Sequence, residues 1–129
     1  MILVDTNAIV DVLSGDPHWA GRSASALQMA AARDELAINE IVYAELAAGF
    51  SGAAELESAI DRLQLRFMRL PKEALFAAGH AYRRSGGARA NVLADFFIGA
   101  HAAVTGAPLL TRDTKRIRTY FPTVSILEP

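Results

Sequence analysis

The sequence predicts one α/β domain over residues 1–129, in which helices flank both faces of a five-stranded parallel sheet. Short apolar runs alternate along the chain with longer helical patterns, and this order implies right-handed crossovers between parallel strands. At 129 residues the chain is long enough for a single sizeable core. Hydrophobic residues make up 52% of it and charged residues 21%, a composition typical of globular rather than disordered proteins.

The first half of the chain predicts two strands and four helices. Ile2-Leu3-Val4 is a short apolar run closed by polar residues, and it predicts a buried strand. Residues 8–13 predict a short helix that is capped by Thr6 or Asn7 and stopped by Ser14-Gly15. The other elements are a helix from Asp16-Pro17 to about Arg33, a strand at 36–38, a helix from the Asn39 cap to Gly49, and a helix at 53–63.

The second half predicts three strands and two helices. The strands are residues 65–70, Leu109-Leu110 and residues 124–127. One helix opens at Pro71 and ends near Ser85. The second is capped by Asn91 and runs to Thr105-Gly106. Because this second helix is apolar on nearly every side, we expect it to be buried.

Several classes of protein are disfavoured by composition. There is no cysteine, so disulfides, zinc–thiolate sites and cysteine nucleophiles are excluded. No basic segment precedes an apolar one at the start, so no signal peptide is predicted. The most apolar run, residues 96–110, is too short to span a bilayer. We therefore expect a cytoplasmic protein.

Positive charge is concentrated toward the end of the chain. Residues 1–82 hold 6 Lys or Arg against 11 Asp or Glu, whereas residues 83–129 hold 7 against 3. Such asymmetry is found in proteins that face polyanions, and a solvated surface without a partner is the other interpretation. The basic residues are Arg83, Arg84, Arg89, Arg112, Lys115, Arg116 and Arg118.

Two acidic residues follow predicted strands directly. Asp5 follows the first strand and Asp113 the fourth, so both are expected at the carboxyl edge of the sheet, where open α/β sheets bind ligands. If those strands are adjacent, the hydroxyl groups of Thr6 and Thr111 lie nearby. The other interpretation of Asp113 is an N-cap for the following turn.

Glu45 and Asp95 lie within apolar helical segments. Because a carboxylate is rarely buried without a partner, we expect each to project into a cleft. The other interpretations are a helix-edge acid for Glu45 and an arginine-paired structural acid for Asp95. His101 points away from Asp95, by about 240° around the helix, and is interpreted as a core or rim residue rather than a metal ligand.

Clustered carboxylates repel one another unless cations neutralise them or their pKa values rise. Hard oxygen ligands without cysteine or a suitable histidine favour Mg²⁺ or Mn²⁺ over Zn²⁺. Such an ion activates water and offsets charge on a leaving oxygen, which suits phosphoryl chemistry. We expect the basic residues, and Arg112 especially, to bind the phosphate groups of a substrate on either side of the reacting phosphate. The predicted metal ligands are Asp5, Glu45, Asp95 and Asp113.

Four segments resemble the motifs of PIN-domain ribonucleases, and most closely those of the VapC toxins of bacterial toxin–antitoxin pairs. They occur in the family's order and cover essentially the whole chain. They are Ile2-Leu3-Val4-Asp5-Thr6-Asn7, then Ala37-Ile38-Asn39 through Ala44-Glu45-Leu46 to Gly49, then Leu93-Ala94-Asp95 with Ile98 and residues 100–102, and Leu109-Leu110-Thr111-Arg112-Asp113.

The resemblance implies cleavage of RNA that depends on Mg²⁺ or Mn²⁺, with Thr6 and Thr111 as supporting polar groups. It also implies a homodimer and a VapB-like antitoxin, and we expect an Arg or Lys of that antitoxin to insert between the acids. Some relatives carry a further acid where this sequence has Ile98, Gly99, Lys115 and Arg116, so the resemblance does not extend to a tightly bound second metal. The implied catalytic acids are Asp5, Glu45, Asp95 and Asp113.

Two other functions remain open on sequence alone. One is an RNA-processing PIN nuclease that has no antitoxin, and the other is a non-catalytic PIN-like domain that binds RNA or protein. An intact acidic quartet argues against the second. A dehalogenase-type phosphatase would need an acid where Asn7 stands. A short upstream gene that overlaps this one would favour the toxin.

Overall fold

The computed structural model describes residues 1–86 and 92–129. Within these residues the strands are β1 (Ile2–Val4), β2 (Leu36–Ile38), β3 (Leu65–Phe67), β4 (Leu109–Leu110) and β5 (Ile126–Leu127). They form one sheet with the order β3-β2-β1-β4-β5, and every neighbouring pair is parallel. The predicted α/β fold with a five-stranded parallel sheet is therefore confirmed.

The described residues also form seven α-helices and one 3-10 helix. The first four are α1 (Thr6–Ser14), α2 (Ala20–Ala31), α3 (Glu40–Ala47) and α4 (Ala53–Arg62). They are followed by α5 (Lys72–Arg84), the 3-10 helix (Leu93–Phe96), α6 (Phe97–Thr105) and α7 (Thr114–Tyr120). Within the described part of the chain, none of these helices is long and apolar enough to cross a membrane.

β1 lies at the centre of the sheet and positions the site. Leu3 and Val4 are completely buried, between β2 on one side and β4 on the other. Val4 pairs with Leu110, and the amide of Asp5 donates to the carbonyl oxygen of Leu110 at 2.9 Å. Because β1 and β4 are adjacent and parallel, the polar residues that follow them meet at the carboxyl edge of the sheet.

The cap of α1 differs from the sequence prediction. Asp5 caps this helix, since its Oδ1 accepts a hydrogen bond from the amide of Thr6 at 2.8 Å. Thr6 and Asn7 are already helical, so their prediction as caps is wrong. At the other end Gly15 adopts a left-handed conformation, with φ of 65°, that few other residues tolerate. Asn39 does cap α3 as predicted, with its Oδ1 3.0 Å from the amides of Ile41 and Val42.

The segment around Asp95 is not the single buried helix that the sequence predicts. A 3-10 turn precedes α6, and its first residues are exposed, Leu93 by 43% and Val92 before it by 55%. The predicted cap, Asn91, lies outside the described residues. Apolar composition did not distinguish the buried part of α6, from Ile98 to Ala102, from the solvent-facing turn that leads into it.

Some elements are shorter than predicted and one is additional. β3 ends at Phe67 and β5 begins at Ile126. α2 begins at Ala20, because the carboxylate of Asp16 caps a turn over His18 and Trp19 instead. The sequence did not predict α7, in which Ile117 is the sole buried position and therefore leaves no helical periodicity to detect.

The side chains of Ile117 in α7 and of Phe121 after it pack directly on Gly99 of α6. A methyl group on Gly99 would lie 2.4 Å from Cδ2 of Phe121 and 2.9 Å from Cδ1 of Ile117. Both neighbours are buried and have little room to move. The missing side chain at Gly99 therefore lets α7 approach α6, and this contact fixes α7 beside the 3-10 turn.

Candidate active site

A cavity of about 480 Å³ opens at the carboxyl edge of the sheet, between the ends of β1 and β4 and the first turns of α1 and α7. Thr6, Asn7 and Arg112 contribute to its wall, and Thr111 lies behind it as a buried residue. All four predicted acids also line it, while their roles as ligands and catalysts stay a prediction. These acids are Asp5, Glu45, Asp95 and Asp113.

Asp5 is held by neutral donors from both neighbouring strand ends. Its Oδ2 accepts from the hydroxyl of Thr111 at 2.8 Å and from Nδ2 of Asn7 at 3.3 Å. Its Oδ1 accepts from the amide of Thr6. These bonds fix the carboxylate at the start of α1, where a negative charge is favoured by the unpaired amides of the first turn.

Burial raises the pKa of Asp5 above its ordinary value of 3.8. The hydroxyl of Thr111 and the amide of Thr6 lower the pKa, whereas the negative charges of Glu45 and Asp113 raise it further. The net effect is an acid that is reluctant to ionise without a cation nearby. This is the electrostatic signature expected of a carboxylate cluster built to hold a positive charge.

Glu45 is exposed and lines the cavity, as expected of an acid that projects into a cleft. It lies on the last turn of α3 at the rim of the cavity. Its Oε1 accepts a hydrogen bond from the hydroxyl of Thr6 at 2.7 Å. The other interpretation, a helix-edge acid that reaches solvent, describes its burial correctly, and its side chain still faces the cavity that Asp5 lines.

Asp95 and Asp113 share one arginine. Nη1 of Arg116 donates to Oδ2 of Asp113, and Nη2 of Arg116 lies 3.7 Å from Oδ2 of Asp95. The amide of Val92 also donates to Asp95, at 3.0 Å. The side chains of the two acids are 28% and 33% exposed, and both line the cavity, as expected of Asp95 from its place in an apolar segment and of Asp113 from its place after β4. The arginine-paired interpretation of Asp95 therefore holds for its contacts.

Arg112 contacts a different acid. Its Nε and Nη2 both lie 2.9 Å from the carboxylate of Asp11, which is 3% exposed and also accepts from the hydroxyl of Ser23 at 2.8 Å. The guanidinium stacks on the ring of Trp19, 4.6 Å from its centroid. Its predicted contact with phosphate stays a prediction, and its structural contact is to the frame of α1 and α2.

Three polar residues of the cavity wall were not predicted as site residues, namely Asn7, Asp11 and Arg116. Asn7 links the two strand ends, since its side chain donates to Asp5 and accepts from the amide of Arg112 at 3.2 Å. Arg116 belongs to the basic group near the end of the chain. Its spacing of three residues from Asp113 was the available signal, because such residues are neighbours on a helix.

Asn39 and His101 form a buried polar pair away from the cavity. Nδ2 of Asn39 lies 3.2 Å from Nδ1 of His101, and both side chains are almost completely buried. Burial lowers the pKa of His101, and the charge of Glu40 partly opposes this shift. His101 does not line the cavity, in agreement with its interpretation as a core residue.

The cavity fits a hard divalent cation in its donor chemistry, since it presents carboxylate and hydroxyl oxygens and no sulfur. The raised pKa of Asp5 points the same way. Within residues 1–86 and 92–129, no three acidic or histidine side chains lie close enough together to hold an ion as they stand. Arg116 engages Asp95 and Asp113, so binding of one ion by all four acids requires these two carboxylates to separate from the arginine.

Comparison with solved structures shows the same fold. A chain of VapBC2 from Rickettsia felis, bound to a promoter DNA fragment, is 23% identical with a TM-score of 0.71, over 99% of this chain and 98% of that one. VapBC-1 from nontypeable Haemophilus influenzae is 21% identical with a TM-score of 0.72, over 99% and 98%. A toxin–antitoxin complex from Klebsiella pneumoniae is 22% identical with a TM-score of 0.71, over 96% and 95%.

No curated protein is significantly similar to this chain in sequence. The family model of the PIN domain, however, matches residues 2–122, which is nearly the whole chain. This span includes β1, the four acids of the cavity and the close contact between α6 and α7. The protein therefore belongs to the PIN domain family.

Proposed function

We propose that this protein is a Mg²⁺- or Mn²⁺-dependent endoribonuclease and acts as the toxin of a toxin–antitoxin pair. The observation that carries the proposal is the convergence of four carboxylates on one cavity of a PIN domain. The cavity lies at the carboxyl edge of a parallel sheet, where such folds bind their ligands. The proposed metal ligands and catalytic acids are Asp5, Glu45, Asp95 and Asp113.

The residues of this chain prepare the site for a metal ion. Thr111, Thr6 and Asn7 orient Asp5 through hydrogen bonds, so its carboxylate needs little reorganisation to become a ligand. Thr6 also aims Glu45 toward the same opening. When bound, the ion supplies water activation and offsets the negative charge that grows on the phosphodiester and its leaving oxygen.

RNA is the substrate that we propose, and the distribution of charge supports it. Lys115 is exposed on α7 between Asp113 and Arg116, which line the cavity, and Arg118 is exposed further along the helix, where it pairs with Glu128. Exposed cations beside a carboxylate cluster suit a polyanion whose backbone must approach the acids. Arg83 and Arg84 are also exposed. Arg89, the remaining member of the basic group, lies outside the described residues.

Cleavage of a labelled RNA by the purified protein tests the proposal. We expect cleavage with Mg²⁺ or Mn²⁺, none with EDTA, and a loss of at least about a hundred-fold in Asp5→Asn, because changing even a group that orients a metal ligand costs about 10- to 100-fold. Asp61→Asn is the matched control, since Asp61 is exposed on α4 and does not line the cavity. A folded protein that binds RNA without cutting it would favour the non-catalytic alternative.

The antitoxin is the second part of the proposal. The solved structures with this fold include VapBC assemblies and a toxin–antitoxin complex. We expect expression of the protein alone to arrest bacterial growth, and the product of a small neighbouring gene to relieve the arrest and inhibit cleavage in vitro. An active nuclease that no neighbouring product inhibits would be the RNA-processing alternative. A cytoplasmic location and a homodimer belong to the same proposal, and sedimentation tests the latter.

A further inference from the structure

Arg116 lies among the acids that we propose as metal ligands. Its guanidinium donates to Asp113 and faces Asp95, and it lines the same cavity as Asp5 and Glu45. The Arg116 side chain is 21% exposed, so these contacts are made in a partly desolvated setting where charge pairs are stronger than at an open surface.

The backbone of Arg116 is held in place by packing. Ile117, the next residue, is completely buried against α6, and Gly99 is what permits this approach. The side chain of Arg116 therefore starts from a fixed point one helical turn after Asp113. It cannot leave the neighbourhood of the two acids unless its own rotamer changes.

The four acids are divided into two pairs by their partners. Asp5 and Glu45 have hydroxyl, amide and backbone donors, which are neutral. Asp95 and Asp113 share the positive charge of Arg116. A guanidinium and a divalent cation both require the same carboxylate oxygens, so they compete for the second pair.

We propose that Arg116 is an internal counter-cation which stabilises the metal-free site and must release Asp95 and Asp113 before a metal is held by all four acids. Arg116 thereby sets the affinity of the site for the metal. The proposal rests on the proposed function, because it assumes that these acids bind a divalent ion. Arg116 is a positioning residue here, since it acts through the two carboxylates.

Binding of Mn²⁺ to the purified full-length chain, freed of metal with EDTA and dialysed, tests this directly. Free Mn²⁺ is measured by electron paramagnetic resonance in wild type, Arg116→Gln, Arg116→Lys and Arg118→Gln. Arg118 is the matched control, because it lies on the same helix, is 63% exposed and pairs with Glu128 away from the cavity.

We expect Arg116→Gln to bind Mn²⁺ about five- to ten-fold more tightly than wild type, as loss of a partly exposed ion-pair competitor predicts. The same variant should melt at a lower temperature than wild type in EDTA, and saturating Mn²⁺ should raise its melting temperature by more than it raises that of wild type. Arg118→Gln should match wild type. Arg116→Lys keeps the charge and loses the planar fork, so it should show a smaller increase and serves as the test if Arg116→Gln does not fold.

Unchanged or weaker Mn²⁺ binding by folded Arg116→Gln would overturn the proposal, and so would an equal gain in Arg118→Gln, which would indicate a general charge effect. If wild type binds Mn²⁺ and cleaves RNA in that case, the proposed function stands alone. If neither wild type nor the Arg116 variants bind Mn²⁺, both proposals fail together.

Discussion

Two arginine–carboxylate clusters line the same cavity and differ in how they are held. In the first, Arg112 makes a two-point contact with Asp11, whose side chain is 4% exposed and is also bound by Ser23. In the second, Arg116 bridges acids that are 28% and 33% exposed. The first cluster ties α1, α2 and the β4–α7 loop together, whereas the second is open to solvent and to ligands.

The difference shows that residue type and location do not decide the role of an acid here. Asp11 lines the cavity as Asp113 does, yet its oxygens are fully used by groups of the frame. A buried carboxylate with a built-in fork partner is costly to separate from that partner. A partly exposed carboxylate that shares one arginine can exchange it for another cation. We therefore expect the first cluster to stabilise the fold, whereas binding by the second belongs to the proposed function.

The strongest test of this comparison is the pair Asp113→Asn and Asp11→Asn. We expect Asp113→Asn to lose at least about a hundred-fold in RNA cleavage, as loss of a metal ligand predicts, with a change in unfolding free energy below about 1 kcal/mol because its ion pair is partly exposed. Asp11→Asn should keep most of the cleavage per folded molecule. Cleavage rates normalised to the folded fraction measure this, and equal losses in both variants would erase the distinction.

Removal of Asp11, the acid of the first cluster, should measure how much this cluster contributes to stability. We expect Asp11→Ala to lower the unfolding free energy by about 2 to 3 kcal/mol, somewhat less than for a fully buried pair, because Arg112 is 31% exposed. Urea unfolding followed by the fluorescence of Trp19, the single tryptophan, is the measurement. Asp61→Ala on the exposed face of α4 is the control and should change stability little.

The contact of Gly99 with Ile117 and Phe121 supports the helix that carries Arg116, so a larger side chain at Gly99 should move the second cluster. Gly99→Ala places a methyl group against Ile117 and Phe121, which we expect to cost about 1 to 3 kcal/mol despite the better helix propensity of alanine. The variant should also alter Mn²⁺ affinity, because α7 carries Arg116. A methyl group added at Gly79 on α5 would have no other atom within 4 Å, so Gly79→Ala should leave the unfolding free energy unchanged or raise it. Equal melting temperatures for the two variants would contradict the packing account.

The buried pair of Asn39 and His101 differs from both arginine–carboxylate clusters, because its contact joins two side chains that carry no opposite charges. The pKa of His101 lies below 6.5 in the folded state, so the unfolded chain binds the proton more readily. Stability is then fully present above about pH 6.5 and falls as the pH drops toward the folded pKa. Denaturant midpoints at pH 7.5 and 5.5 measure this fall, which His101→Gln should reduce and exposed His80→Gln should leave unchanged.

The smallest effect is expected at the outer face of α7. Arg118→Gln removes an exposed pair with Glu128 at 3.3 Å, and such pairs contribute less than about 1 kcal/mol. Its thermal melt should overlay that of wild type in EDTA, unlike that of Arg116→Gln. A comparable loss of stability in both variants would mean that Arg116 contributes no more to stability than an arginine in an exposed ion pair.

The sequence by itself determined the features that local patterns encode. The alternation of apolar runs with helical segments predicted the α/β fold, and Asn39 was identified as a cap from its place before an apolar helix. Asp5 and Asp113 were located correctly because they follow buried strands, and parallel strands end at one edge. These inferences succeed because they need only the period of a strand or helix and the residue at its end.

Only the tertiary structure decided which charge each acid meets. Asp11 and Arg112 are 101 positions apart in the sequence, and Asp95 comes near Arg116 only in the folded chain, where Ile117 and Phe121 pack on Gly99. The sequence left the exposure of Glu45 open and did not predict the 3-10 turn around Asp95, because apolar neighbours in sequence do not show which face solvent reaches. The cation expected from a partner stays a prediction, while the chain supplies one of its own. Pairing depends on the arrangement of distant segments, and no local pattern contains that information.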